Sequence, residues 1–552
     1  MNNTLTNVSE LVVSCLENEG VEFIFGIPGE ENILFIDAIN GSRLRFILAR
    51  SEQAAAFMAD MYGRVTGKAG VCCATLGPGA INLLLGVADA NADSTPLVAI
   101  SAQAGIDRLY KETHQYIDLV KMFEPVTKSS KMIINPESTS ELVRAAFKIS
   151  QEERPGACYL CVPEDIAAIE VSTNKHPLPV NTMQNPAPSM EKIKSAAKIL
   201  NQSQRPIVLV GHGAARANAQ EALVQFSEAL NVAVASTFHG KGTMPENHPN
   251  SLGVMGFMVH DYANFGFDTA DVVVCIGYEL QEMPPARINP RADKKIIYIH
   301  NFPAEVDANF NIAQGIEGDI TLSLKELTKH VKAKPNLTSE DFKIQKLLSK
   351  EIDNGKASNA CPMKPQRVVA DIREAMEADD IVLTDTGAVK MWMARLYPAY
   401  KPNTCLISNG LATMAFALPG AIGVKLAYPE RRVLAVMGDG SFMMNSQEIE
   451  TAIRESIPIV ILIFVDSSYG LIKWKMDLEL KHHSHVDFQN PDFVKYAESF
   501  GATAYLIEES DQLLPTLKQA LAAHTVSVIA CPVDYSENDK LTDHLGELVE
   551  YF

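Results

Sequence analysis

Positive charge is in short supply. Lys and Arg number 48 against 67 Asp and Glu, a formal net charge of −19 over 552 residues. A chain that tracks a nucleic-acid backbone carries the opposite sign, so DNA or RNA is a poor main partner and none is expected. Long apolar runs are lacking too. Ile457 to Val465 is about half the length a membrane span requires, and no membrane association is expected. The opening MNNTLTNVSELVVSCLENEG has no basic segment followed by an apolar one and does not read as a signal peptide. With 47% hydrophobic and 21% charged residues, the expectation is a soluble, cytoplasmic protein with core enough for several domains.

Cysteine offers little chemistry. The nine cysteines show no disulfide framework, and Cys72, Cys73, Cys275 and Cys531 sit in apolar, strand-like runs. Cys158 and Cys161 form a C-x-x-C, but ACYLCVPEDI is a strand pattern without a second pair or nearby histidines. Structural burial is expected of both.

Two stretches interrupt the alternation of apolar runs. Ser172 to Ser189 is rich in proline and asparagine, and Lys332 to Pro365 contains KAKPNLTSE and NACPMKP. Both read as linkers. The expected organisation is a first domain over residues 1–171, a middle domain over 190–332, a third over 362–536 and a tail over 537–552. Each block repeats one idiom: a short apolar, often β-branched run, a glycine turn, then a helical pattern. Ala69 to Leu76 leads through Gly77-Pro78-Gly79 into a helix to Ala92. Pro206 to Val210 leads through Gly211-His212-Gly213 into a helix over Ala214 to Leu230. Such alternation implies an α/β protein of three doubly wound parallel-sheet domains, with ligands at the carboxyl ends of strands. The middle turn lacks a full G-x-G-x-x-G, because Arg216 stands at the third glycine, and it reads as a tight strand-to-helix turn.

The third block is more specific. Val433 to Met437 reads as a buried strand, Gly438-Asp439-Gly440-Ser441 as the turn at its end, Ser441 to Glu455 as a helix, and Ile457 to Val465 as the next strand. Asp439 and Asp466 then stand at the same ends of neighbouring strands. Two carboxylates converging beside the amides of a helix start suit a hard divalent cation bridging to a diphosphate. A lone aspartate here would serve equally as a helix cap; the second, ahead of Ser467-Ser468-Tyr469-Gly470, favours the cation.

This pattern resembles the diphosphate and magnesium motif of thiamin-diphosphate enzymes. Gly26-Ile27-Pro28-Gly29, Ser51-Glu52-Gln53-Ala54-Ala55, Gly77-Pro78-Gly79-Ala80-Ile81-Asn82 and Asn409-Gly410-Leu411-Ala412-Thr413-Met414 extend the likeness over nearly the whole chain. Together they are similar to the acetolactate synthase and pyruvate decarboxylase group. The catabolic acetolactate synthases are nearest, through His114-Gln115, Pro125-Val126-Thr127-Lys128 and Lys495 to Gly501. The resemblance implies pyrimidine-binding, middle and diphosphate-binding domains, with thiamin diphosphate and Mg2+ as cofactors. Glu52 would bond a pyrimidine nitrogen and drive proton exchange, helped by desolvation in its alanine-rich helix. Met414 would wedge under the bent cofactor, and the Ala412 carbonyl would hold its amino group. Asp439, Asp466 and the Ser468 carbonyl would ligate the metal. Pro28, Thr75, Asn82, Gly438, Gly440, Ser441, Tyr469, Gly470, Leu471 and Ile472 would line the cofactor. Thr386, Gly387, Ala388 and Val389 would meet the diphosphate through their backbone.

The resemblance implies a carboligase that decarboxylates pyruvate and joins the two-carbon unit to a second pyruvate, giving 2-acetolactate. Gln115 would hydrogen-bond the substrate. Glu31, after Glu30, stands where relatives usually carry lysine and would repel an acceptor carboxylate unless turned away or protonated; His114, Lys111 or Arg287 could supply positive field. Other readings remain: the same decarboxylation with another acceptor or a proton, a flavin-dependent oxidase, or a non-catalytic paralogue. Gly277-Tyr278-Glu279-Leu280 replaces the pattern of flavin-binding synthases, so FAD is not expected. A homodimer sharing its active sites between subunits, commonly paired into a tetramer, is implied.

Overall fold

The structure is a computed structural model describing residues 6–172, 175–181, 184–256, 262–335 and 339–539. Three six-stranded sheets, parallel throughout, dominate it. The first contains β1 (Phe23–Gly26), β2 (Arg45–Leu48), β3 (Gly70–Ala74), β4 (Leu97–Gln103), β5 (Ser129–Met132) and β6 (Ala157–Pro163), in spatial order β2-β1-β3-β4-β6-β5. The second contains β7 (Pro206–Val210), β8 (Val234–Ser236), β9 (Ser251–Val254), β10 (Val272–Ile276), β11 (Lys295–His300) and β12 (Ile312–Glu317), ordered β9-β8-β7-β10-β11-β12. The third contains β13 (Ile381–Thr384), β14 (Cys405–Ile407), β15 (Val433–Gly438), β16 (Val460–Val465), β17 (Thr503–Leu506) and β18 (Ser527–Pro532), ordered β14-β13-β15-β16-β18-β17. The first and third sheets therefore share one topology, and the middle sheet has the order of a dinucleotide-binding fold.

Alternation along the strands shows that both faces are covered. In the middle sheet Val208, Val210, Val272, Val274 and Ile297 enter one buried cluster, while Ile207, Leu209, Val273, Cys275 and Ile296 enter another. Near-continuous apolar strands are what a sheet with helices on both faces requires. All nine cysteines are free and eight are buried, Cys158 and Cys161 among them; burial pushes both thiols up to about 12. Among the described residues no helix is long and apolar enough to cross a membrane.

The three sheets fall into two compact units. One gathers the described residues of 1–183 with Gly410–Glu430 and Met444–Ile459; the other holds the middle and third sheets. In the first unit, α1 (Glu52–Thr66) packs against α2 (Pro78–Ala92) and against α3 (Ala417–Ala427), so a piece of the third sequence block folds with the first sheet. The approach is close: a Cβ on Gly423 would come 2.2 Å from the Met58 carbonyl oxygen.

Several boundaries differ from the sequence expectation. Residues 441–455 are not one helix: α4 (Asp439–Asn445) and α5 (Glu448–Arg454) are separated at Ser446 and Gln447. There Asn445 turns its side-chain amide to the Ala415 carbonyl, 2.9 Å away, and weak helix formers let the chain break. Strand pairing starts at Val460 rather than Ile457, because Pro458 has no N–H for a ladder. The middle helix over 214–230 is also two, His212–Arg216 and Gln220–Leu230, divided where Asn218 takes φ 48°. The stretch from Lys332 to Pro365 is not a plain linker. It carries an 18-residue helix, Ser339–Lys356, which buries Ile344 completely and packs Leu347 against the middle core. That three-residue apolar spacing lies between two proline-bearing segments that dominate the composition. Ser172 to Ser189 has no helix or strand among its described residues.

Candidate active site

In the first unit, the sheet order places the carboxyl ends of β2, β1 and β3 side by side. Glu52, following β2, opens α1; it is half-buried, and its Oε2 accepts from Asn82 Nδ2 at 3.0 Å. A Cβ on Gly79 would lie 3.2 Å from Glu52 Oε1 and 3.0 Å from Thr75 Cγ2, so glycine there lets α2 close on the carboxylate. Thr75, following β3, donates from Oγ1 to Glu31 Oε2 at 2.7 Å. The backbone of Gln115, at φ 57°, comes against Gly77, and Gln115, His114 and Lys111 are exposed. Pro28 is exposed after β1. Glu52, Thr75, Asn82 and Gln115 are thus gathered at one end of the sheet.

The loop preceding α3 belongs to the same unit. Ala412 and Ala415 both have positive φ, 55° and 70°, conformations that cost a residue with a side chain and mark a loop held by its surroundings. Met414 is half-buried, and Leu411 is exposed. Asp93 fixes the loop's start by accepting the Gly410 N–H at 2.5 Å, while its other oxygen meets Arg64 at 3.3 Å.

In the other unit, β15 and β16 are parallel neighbours, with Gly438 opposite Phe464. Asp439 and Asp466 therefore emerge at adjacent strand ends, as expected. Asp439 is 1% exposed and well anchored: Oδ1 accepts the Gly440 N–H at 2.8 Å, and Oδ2 accepts from Ser467 N–H, Asp466 N–H and Asn490 Nδ2 at 2.7, 3.2 and 2.7 Å. Ser468, buried, donates from Oγ to Asp466 Oδ2 at 2.7 Å. Burial chiefly, and then Asp439, push Asp466 up to about 7 against the hydrogen bond from Ser468. A divalent cation beside the two carboxylates would relieve that arrangement. Among the described residues no group of three or more His, Cys, Asp or Glu side chains could hold a metal, so a cation here would need its remaining oxygens from backbone, water or phosphate.

Glycines keep this turn open. A Cβ on Gly440 would come 2.9 Å from Tyr469 Cε1, and one on Gly470 would come 2.6 Å from Asp466 Oδ2. Gly470→Ala is therefore expected to push the Asp466 carboxylate aside and weaken cation-dependent cofactor binding by about 10-fold or more, with little loss of stability. Isothermal titration with and without magnesium measures this. Tyr469 precedes α6 (Gly470–Leu480), on which Leu471 packs inward and Ile472 is 46% exposed. Ser441 is buried. Following β13, next to β15, Gly387 takes φ 141° and caps the helix bearing Ala388 and Val389, both buried; Thr386 Oγ1 is buried without a hydrogen-bond partner among the described residues. An orphaned hydroxyl in a glycine turn fits an incoming phosphate.

Three family models match the chain. The description "Thiamine pyrophosphate enzyme, N-terminal TPP binding domain" matches residues 6–122, the central domain matches 193–327, and the C-terminal TPP binding domain matches 385–531. A probable acetolactate synthase large subunit of Methanococcus aeolicus is 37% identical over 538 residues, covering 93% of this chain and 90% of that protein. The chain belongs to the acetolactate synthase family of thiamin-diphosphate-dependent enzymes. An acetolactate synthase of Bacillus subtilis is 34% identical, covering 98% of this chain and 96% of its own length. A catabolic acetolactate synthase of Raoultella terrigena is 32% identical, covering 98% of each.

The middle sheet of this thiamin-diphosphate enzyme has its topological switch between β7 and β10. Glu282, buried, fills the glycine turn there: it accepts the His212 and Glu279 N–H groups and Thr237 Oγ1, while Glu279 pairs with Arg216 at 2.6 Å. Arg287, half-buried in this unit, has its carbonyl bonded by Asn264. Burial, then Glu279, push Glu282 up to about 8. The folded state thus keeps a proton that the unfolded chain releases near pH 4.5. Its stabilising contribution is full below that pH and is lost as pH rises through about 8. Thermal unfolding of the cofactor-free protein between pH 5 and 9, wild type against Glu282→Gln, should show a shallower alkaline decline in the variant.

Asn490 and Asp93 were not legible in advance. Asn490 stands in an ordinary Gln-Asn-Pro turn, and Asp93 looks like a helix-end residue; only folding brings them to Asp439 and Gly410.

Proposed function

We propose that the enzyme decarboxylates pyruvate and joins the two-carbon unit to a second pyruvate, giving 2-acetolactate, with Mg2+ holding the cofactor diphosphate. The observation that carries the reading is Glu52 at the half-buried start of α1, flanked by Gly79, Thr75 and Asn82, in a chain whose relatives over nearly their whole length include acetolactate synthases. When bound, thiamin diphosphate supplies an electron sink at its thiazolium ring. Glu52 holds and moves a proton at the pyrimidine nitrogen. The Ala412 carbonyl, on a left-handed backbone, would accept from the cofactor amino group, and Met414 would pack against the cofactor. Asp439, Asp466 and the Ser468 carbonyl would hold the metal. Gly438, Gly440, Ser441 and the turn from Thr386 to Val389 would hold the diphosphate, with Tyr469, Gly470, Leu471 and Ile472 beside them; Pro28, with Glu52 in the first unit, would meet the pyrimidine.

Gln115 orients the substrate. The hydrogen bond from Thr75 ties the Glu31 carboxylate down, which is what lets a second 2-oxo acid approach despite its charge. Glu31 is also the one feature favouring a different acceptor. A flavin diphosphate at the Gly211 turn would meet the Glu282 carboxyl group, which supports a flavin-free enzyme of the catabolic type. We also propose the organisation into three domains over 1–171, 190–332 and 362–536, and a homodimer or tetramer whose subunits share active sites. Exposed Ile33, Leu34, Ile81 and Leu411 near the site residues in sequence support an interface.

Purified protein incubated with thiamin diphosphate, magnesium and pyruvate should yield one acetolactate and one carbon dioxide per two pyruvates. Carbon dioxide with acetaldehyde would reduce it to a decarboxylase. Dilution that separates subunits should release the cofactor, read by its quenching of protein fluorescence.

A further inference from the structure

Glu448 carries a buried carboxyl group that none of these roles uses. It begins α5, and the residue is 0% exposed. Both its oxygens accept the Arg50 N–H, at 3.1 and 3.3 Å, and Oε2 also accepts from Thr451 Oγ1 at 2.7 Å. Arg50 lies just past β2, two residues before Glu52. The intervening Ser51 caps α1 with an extended backbone, φ −149° and ψ 139°, but its side chain makes no capping hydrogen bond. A serine at this position ordinarily locks the first turn of its helix through its own hydroxyl. Here the chain entering α1 is held from outside instead.

The end of this short helix and its C-cap residue grip the strand twice more. Arg454 donates to the Leu48 carbonyl, and Glu455 pairs with Arg45 at 2.7 Å. Those two contacts are exposed and contribute little; the buried one at Arg50 is different. Burial pushes Glu448 up to about 7, against the hydrogen bonds of Thr451 and the Arg50 and Ser51 backbone. An oxygen accepts the Arg50 N–H in either protonation state.

We propose that Glu448 is a positioning residue for Glu52: by accepting the Arg50 N–H, it fixes the main chain from which the proton-handling carboxylate projects. The inference rests on the reading of Glu52 as the group that serves the cofactor. A displacement of about 1 Å at such a group costs roughly 100-fold in rate.

The test uses the full chain as wild type, Glu448→Gln and Glu448→Met. Glutamine keeps the acceptor oxygen and the volume; methionine keeps the volume alone. In cofactor-free protein, amide hydrogen exchange of peptides covering residues 45–60 should accelerate at Arg50 and Ser51 in the methionine variant and not in the glutamine variant. With thiamin diphosphate and magnesium, the methionine variant should lose about 100-fold in both kcat and the rate of hydrogen–deuterium exchange at the cofactor's thiazolium carbon. Its KM for pyruvate should stay within about twofold, and glutamine should restore kcat to within about threefold. Unchanged amide exchange in the methionine variant overturns the proposal, as does a glutamine variant as impaired as methionine. So does a loss of kcat that disappears once fraction folded is accounted for. If wild type shows no exchange at the cofactor, the reading of Glu52 fails, and with it the catalytic half of the proposal; the amide-exchange result then decides alone whether Glu448 holds the segment.

Discussion

Replacing Glu52 by glutamine is expected to lower pyruvate turnover by about 10²- to 10⁴-fold, the range a positioned proton-transfer group contributes. The loss should fall on kcat and on hydrogen–deuterium exchange at the thiazolium carbon together, with cofactor affinity changed far less. The geometry dictates this split. Glu52 lies at the end of the first sheet with Asn82, Thr75 and Gly79, while the carboxylates suited to a cation belong to the third sheet. Glutamine preserves size and can still meet Asn82, so the start of α1 should survive and unfolding temperature should move little. Nuclear magnetic resonance of the exchanging proton in quenched samples gives the chemical step directly. A Glu52→Gln enzyme that exchanges at the wild-type rate would remove Glu52 from the chemistry.

Replacing Asp439 by alanine should be nearly as damaging, through a different quantity. Loss of the side chain removes one proposed metal ligand and strands three donors, the N–H groups of Gly440, Asp466 and Ser467, while the Asn490 amide keeps only its bond to Ser467 Oγ at 3.2 Å. Each buried donor left without a partner costs about 1–3 kcal/mol, less where water reaches it. Magnesium-dependent cofactor affinity should fall beyond the roughly 10- to 100-fold that outer partners of a metal site cost, and the unfolding temperature should fall with it. Asn490→Ala separates the two effects. It removes one donor to Asp439 and no proposed ligand, so about 10-fold in affinity is expected with the cation requirement intact. Titration of cofactor at fixed magnesium, then of magnesium at fixed cofactor, measures both; an Asp439→Ala enzyme that binds thiamin diphosphate as wild type does would sink the assignment.

Legibility followed physical range. Glycine turns between apolar runs are local, so three parallel sheets could be read from the alternation of strand and helix patterns. Asp439 and Asp466 were legible because a buried strand determines where its end emerges, and two such strands stood in succession. The helix over Ser339–Lys356 was obscured by proline-bearing flanks, although its Ile344 and Leu347 carry the spacing of a buried face. The break between α4 and α5 was also hidden, since it depends on Asn445 reaching a carbonyl thirty residues away in sequence.

By itself the sequence determined the strand-turn-helix units, the glycine turns between them, and the acidic residues at strand ends, because each of these follows from contacts among near neighbours. Only the tertiary structure decided which remote groups serve them. It placed α3 against α1, where the missing side chain of Gly423 permits contact with the Met58 backbone. It also brought Glu448 to Arg50, Asp93 to Gly410 and Asn490 to Asp439. In each case a carboxylate accepts hydrogen bonds from groups whose need for a partner arises only when folding takes them out of water.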